Sequence, residues 1–167
     1  MQLANSHRVP PRLPAHSFRD VARLDAMLQP PMPSSPSATR VMKGNRRRDT
    51  RPEMAVRSAV HRRGLRYRVD AQPLPEVRRR ADLVFRPAKI AVFVDGCLWH
   101  GCPEHCRIPE THRAYWSEKI GRNMRRDRDT DQKLDEVGWL PLRIWEHDDP
   151  EDAATHVAQA VAARRPS

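Results

Sequence analysis

Apolar and polar positions follow two rhythms along this chain, one of helical and one of strand period. Met54, Val56, Val60 and Leu65 give an apolar side to a helix that follows Thr50-Arg-Pro-Glu53. There Thr50 can serve as N-cap, Pro52 suits the first turn and Glu53 can close a capping box. Gly64 predicts the helix end, and Leu65 to Val69 a strand entry. Ala81-Asp-Leu-Val-Phe85 and Lys89-Ile-Ala-Val-Phe-Val94 read as short apolar strands joined by a hairpin-like turn at Arg86-Pro-Ala88. Asp95 to Pro109 holds too much Gly, Cys, Pro and His for either regular state. A long helix is predicted from about Thr111 to Val137 with Gly138 as its stop. Trp139 to Trp145 alternates as a strand, and Pro150 to Arg164 makes an amphipathic helix. The order α–β–β–β–α–β–α closes as an α/β fold, a small mixed sheet with helices on both sides.

Composition changes the picture at the start of the chain. Residues 1–38 hold seven of the sixteen prolines and the run Ser34-Ser-Pro-Ser37. With a backbone donor missing at each proline, this stretch reads as a disordered leader before a folded domain at 39–167. Val21 to Leu28 could form a short helix, but it has no second apolar face to dock on. No apolar run approaches the roughly 18–20 residues a membrane helix needs, and Met1 to Pro14 lacks a signal-peptide pattern. A cytoplasmic protein, nucleoid-associated when bound to DNA, is expected.

Charge is unevenly spread. The net charge is +10, and residues 39–80 alone carry 14 basic against 4 acidic groups. Of the 31 basic residues only four are Lys, and Arg suits bidentate contact with phosphate. Such a field points to a polyanion such as nucleic acid; a solvated basic face has the same composition.

Three stretches carry candidate chemistry. The three cysteines, Cys97, Cys102 and Cys106, all lie in one loop with His100 and His105. Clustered thiols with imidazole neighbours suit tetrahedral zinc in a reducing compartment, not a disulfide framework. A fourth, distant ligand is then needed. His147 is the candidate, because its strand should lie beside the one ending at Val94. Asp82 stands at the start of an apolar strand and Asp95 follows the end of the next; a carboxylate at a buried strand edge can hold a hard cation, or simply cap a turn. In the long helix Tyr115 and Trp116 precede Arg122, Asn123, Arg125 and Arg126, a mixture that fits nucleic acid. The same spacing equally fits a surface helix turning Trp116 and Ile120 to the core.

Together these stretches resemble the very-short-patch-repair (Vsr) mismatch endonuclease family. The matching pieces are Ala38-Thr-Arg40, Arg48-Asp-Thr-Arg-Pro-Glu53, Leu65-Arg-Tyr-Arg-Val69, Asp82-Leu-Val-Phe85 and Phe93-Val-Asp-Gly-Cys-Leu-Trp-His100. They continue with Tyr115-Trp-Ser-Glu-Lys-Ile120 through Asn123 and Asp127, and Gly138-Trp139 to Trp145-Glu-His147. The resemblance implies a restriction-endonuclease-like fold with a structural zinc site. It also implies nicking of double-stranded DNA 5′ to the thymine of T:G mismatches that arise from 5-methylcytosine deamination. By the family pattern Asp82 and the backbone carbonyl of Val94 hold catalytic Mg²⁺, and His100 is the general base. Glu53 and Asp127 are supporting polar residues. Leu98, Trp99 and Trp116 match a wedge that enters the base stack, with Arg122 and Asn123 as further DNA-binding candidates. Zinc falls to Cys97, Cys102, Cys106 and His147, with His105 as the alternative to Cys106. Asp95 stands where many members carry a second His; it either binds metal or orients His100. Leu98 replaces the usual Phe.

The partner so implied is mismatched duplex DNA, met by a monomer, with mismatch-repair proteins as candidate recruiters. A restriction-type or nonspecific nuclease of the same fold is the nearest rival. A catalytically inactive zinc-containing DNA-binding protein is the rival from another class, and it would have no need of Asp82 or His100.

Overall fold

The computed structural model describes residues 48–164; the Pro-rich leader, Ala38-Thr-Arg40 and the candidate helix at Val21 to Leu28 lie outside the described residues. Helix α1 spans Arg51–Arg62. Thr50 caps it as expected: the Glu53 N–H donates to Thr50 Oγ1 (3.5 Å), and the Thr50 hydroxyl donates to Glu53 Oε1 (2.9 Å). Glu53 Oε2 takes the backbone N–H of Asp49 (2.8 Å), one residue before the N-cap, where a standard capping box would use the N-cap's own.

Four strands follow, β1 (Arg68–Ala71), β2 (Ala81–Phe85), β3 (Ile90–Asp95) and β4 (Leu140–Trp145). Helix α2 (Arg113–Glu136) connects β3 to β4, and α3 (Pro150–Arg164) closes the described chain. Sheet order is β1-β2-β3-β4, the first two pairings antiparallel and β3–β4 parallel. A parallel pair needs a long crossover, and α2 supplies it.

Side chains alternate across a strand, so each apolar strand feeds two cores. Leu83, Phe85, Ile90, Val92, Leu142 and Ile144 pack against α1 and α3. Val84, Ala91 and Phe93 pack on the opposite side with Leu134 of α2 and Trp139. Burial on both faces explains why β3 reads as a continuous apolar run.

The structure departs from the sequence pattern at element ends. β1 begins at Arg68, not Leu65, because Tyr67 is used elsewhere: its ring packs on Phe85 (5.6 Å between centroids) and its hydroxyl donates to the Arg57 carbonyl (2.7 Å). α2 begins after His112, which sits at φ 59°. Gly138, two residues past its last residue Glu136, closes it as expected. There φ is +76° and the Trp139 N–H reaches back to the Leu134 carbonyl (2.9 Å), a Schellman closure that a Cβ would strain. No helix among the described residues is long and apolar enough to cross a membrane.

Candidate active site

The carboxylates of Glu53 on α1 and Asp82 near the start of β2 are brought together around Arg57. Asp82 does not extend the β2–β3 ladder with its backbone; its Oδ2 accepts the Val94 N–H (2.8 Å). Arg57, buried on α1, donates through Nη2 to Glu53 Oε2 (3.2 Å) and reaches Asp82 Oδ1 at 4.0 Å. The same guanidinium pairs with Asp49, and its Nε has no partner among the described residues. Burial pushes the Asp82 carboxyl up to about 6. The charges of Glu53 and Asp95 add to that rise, while the Val94 N–H and Arg57 oppose it. A half-buried carboxyl crowded by two others is a group that a cation would relieve.

One residue beyond Val94 the second cluster begins. Asp95, 4% exposed, sends Oδ2 to Arg143 Nη1 (2.6 Å) and holds Oδ1 3.3 Å from His100 Nδ1. The same His100 nitrogen lies 2.6 Å from Asp127 Oδ2 on α2. Burial acts to raise Asp127, but His100, Arg143 and Arg79 outweigh it and hold the carboxyl below its ordinary range. An ionised carboxylate only accepts, so Nδ1 carries the proton and Nε2 keeps its lone pair in the neutral ring. No hydrogen bond to Nε2 occurs among the described residues. His100, the Asp95 and Asp127 carboxylates beside it and Asp82 are thus linked through Val94-Asp95, and the Asp95 charge acts on Asp82.

The loop after β3 folds into a compact cluster. Ligand atoms of Cys97, Cys102, His105 and His147 all lie within 4.8 Å of one another. His147 Nδ1 is 3.1 Å from Cys97 Sγ and 3.9 Å from Cys102 Sγ, and His105 Nδ1 is 3.9 Å from Cys102 Sγ. Bonds of about 2.0–2.3 Å to a tetrahedral ion require ligand separations of about 3.3–3.8 Å, so the donor set fits zinc. Burial, then Cys102 and Glu146, push the Cys97 thiol up to about 12, so only a bound cation would make it a thiolate near neutrality. Of the two adjacent candidates for the third loop position, His105 joins this group and Cys106 does not. The Cys106 N–H bonds the Cys102 carbonyl (3.1 Å), a turn that aims its thiol at the Leu98 carbonyl (3.9 Å). Gly101 (φ +68°) lets the loop press on α2: a Cβ there would stand 2.7 Å from Met124 Sδ.

Next to this loop lie the aromatic residues. Trp99 and Trp116 meet edge to face (5.7 Å), Tyr115 packs on Trp116 (5.1 Å), and Lys119 Nζ sits 5.0 Å from the Trp99 ring centre. Asn123 donates to the Trp99 carbonyl (3.0 Å), so this amide braces the loop. Arg122 is exposed and 3.6 Å from Glu118 on its own helix. Leu98 is half-buried between Cys97 and Trp99. Sequence reasoning did not single out Arg57, Arg79 or Arg143. Arg143 alone left a trace, a charge at the centre of the alternating run Leu140 to Trp145.

The family model described as "DNA mismatch endonuclease Vsr" matches residues 35–107, a span that holds Glu53, Asp82, Asp95, His100 and the three cysteines. The chain is 44% identical over 142 residues to the "Type II nicking enzyme V.NaeI" of Lentzea aerocolonigenes, covering 84% of this chain and 86% of that one. It is 39% identical over 109 residues to the "Type II nicking enzyme V.XorIIP" of Xanthomonas oryzae pv. oryzae, covering 64% and 76%. Against the "DNA mismatch endonuclease Vsr" of Escherichia coli (strain K12) identity is 38% over 102 residues, covering 59% and 62%.

Proposed function

Since this chain belongs to the Vsr DNA mismatch endonuclease family, and is therefore a DNA endonuclease, we propose that it nicks duplex DNA 5′ to the thymine of a T:G mismatch. The observation that carries the reading is His100, its Nδ1 2.6 Å from the ionised Asp127, on the loop that follows Val94, whose N–H anchors the Asp82 carboxylate. That arrangement pairs a general base with its orienting carboxylate and leaves Nε2 to take a proton from water.

Asp82 and the Val94 carbonyl would hold Mg²⁺, with Glu53 beside them. Bound there, the ion would supply positive charge to the phosphate oxygens as the phosphodiester is cleaved. Asp82 contributes a carboxylate already anchored by the Val94 N–H, so little side-chain freedom remains to be lost. Arg57 keeps Glu53 in place and offsets part of the negative charge. Cys97, Cys102, His105 and His147 would hold a structural zinc that braces the loop carrying both His100 and the Leu98-Trp99 pair. Leu98, Trp99 and Trp116 would enter the stack beside the mismatch, where unstacking costs least. Relatives named as nicking enzymes favour cleavage of a single strand.

The test is cleavage of T:G and T:A duplexes of otherwise equal sequence, with Mg²⁺ or EDTA. Faster nicking of the T:G strand in Mg²⁺ is expected, and equal rates on both duplexes would overturn mismatch specificity. Asp82→Ala and His100→Ala should each lower nicking about 100-fold or more while mismatch binding survives. Retained nicking by both variants would remove the assigned centre.

A further inference from the structure

Arg143 stands outside the roles assigned so far, yet it contacts both carboxylates that flank His100. Its place follows from register: β4 pairs in parallel with β3, Arg143 lies opposite Phe93, and Asp95 is two residues further along β3 on the same face. That face is covered by α2, where an unpaired guanidinium would be costly. Asp131 resolves this by accepting Nε and Nη2 in a fork (2.9 Å each). Phe93 lies under the guanidinium at 4.9 Å from its ring centre. A fork plus a ring face fixes the planar group and leaves Nη1 to bind Asp95 Oδ2 (2.6 Å). Nη2 reaches the Asp127 backbone carbonyl (3.3 Å) and lies 3.6 Å from Asp127 Oδ1.

We propose that Arg143 is a positioning residue of the nuclease centre: braced by Asp131, it holds Asp95 and Asp127 on either side of His100 Nδ1 and so fixes the direction in which Nε2 points. The inference rests on the reading of His100 as the base. Without Arg143 two carboxylates would face each other across one imidazole with only Arg79 to offset them, and at least one would swing away. The ring would then turn with its partner. Asp127 and Asp131 lie four residues apart on α2, so one helix face presents both the orienter and the brace.

The experiment compares Arg143→Met, Arg143→Lys and Asp131→Asn with His100→Ala and with the Arg143→Met/His100→Ala double variant. The substrate is whichever of the T:G and T:A duplexes the wild-type protein cuts faster, with kcat, KM and DNA affinity measured separately. Misplacement of a reacting group costs up to about 100-fold, so Arg143→Met should lose about tenfold or more in kcat, with KM and affinity within about twofold. Arg143→Lys, which keeps a donor for Asp95 but not the fork, should recover part of that loss. Asp131→Asn alters neither histidine neighbour and should still lower kcat, and it decides the matter if Arg143→Met does not fold. The double variant should be no slower than His100→Ala alone, because both changes act through one group. Full kcat in Arg143→Met or Asp131→Asn, a loss confined to KM, or additive losses in the double variant would overturn the inference. Retained nicking by His100→Ala would instead remove the reading beneath it.

Discussion

Asp82 carries a stability signature as well as a proposed catalytic one. Its folded pKa, about 6, lies above the ordinary carboxylate value of 3.8, so the native state binds this proton more tightly than the unfolded chain. In the metal-free protein the resulting stabilisation is complete below about pH 4 and is lost as pH rises through 6. The shift corresponds to about 2–3 kcal/mol, an upper figure since the carboxylate keeps some solvent contact. Asp82→Asn should therefore stabilise metal-free protein by up to that amount at pH 7 and by little at pH 4, as read by denaturant unfolding at both values. An equal effect at the two pH values would show that Asp82 is not held against its charge. Added Mg²⁺ should narrow the gap at pH 7 by stabilising only the protein that keeps the carboxylate. Asp82 and His100, and the carboxylates Glu53, Asp95 and Asp127 around them, were legible in the sequence; the arginines that hold those carboxylates were not. Arg57 lies 25 positions from Asp82 and Arg143 48 from Asp95, and nothing local marks either pairing.

At the scale of elements, what the chain encodes locally came through. Thr50 capping, the Gly138 stop and the 150–164 helix rest on backbone chemistry within a few residues. Where an element start depends on a side chain docking elsewhere, as at Tyr67, the pattern ran three residues ahead of the ladder. The Cys-rich loop shows the same limit. His105 and Cys106 are neighbours, and the bond from the Cys106 N–H to the Cys102 carbonyl decides which of them turns inward. That geometry makes the proposed zinc site testable by composition: one zinc per chain in the wild type, lost in His105→Ala and retained in Cys106→Ser. The reverse result would exchange the two ligands. Chelation should destabilise the loop and all it carries, by about 4 kcal/mol if zinc was held at a thousand times its dissociation constant. Nicking should fall with it, since His100 and Trp99 lie between Cys97 and Cys102.

For the whole molecule, the basic stretch 39–80 looks from its sequence like one continuous contact with DNA, and folding alters that count. Arg57 is committed to Asp49 and Glu53, Arg62 and Arg63 to Glu151, Arg79 to Asp127 and Arg80 to Asp70. Arg51, Arg66, Arg68 and Arg78 form no ion pair among the described residues, and on α2 neither do Arg125, Arg126 and Arg128. A cation that stays paired within the fold neutralises no phosphate and so displaces none of the counterions condensed on DNA; among the described residues the charge left for DNA is smaller than the composition suggests and extends onto α2. Each neutralised phosphate contributes about −0.9 to the slope of log K against log salt, so these seven arginines predict a slope of about −6, deepening to about −10 if Arg40, Lys43, Arg46 and Arg47, which lie outside the described residues, also reach phosphate. A slope shallower than about −2 would mean this surface does not face DNA. Replacing Arg125 and Arg126 with Ala should reduce the slope by about one each, equally on matched and mismatched duplexes. A change confined to mismatched DNA would instead place these arginines in recognition of the lesion, and discrimination would then no longer rest on Leu98, Trp99 and Trp116 alone.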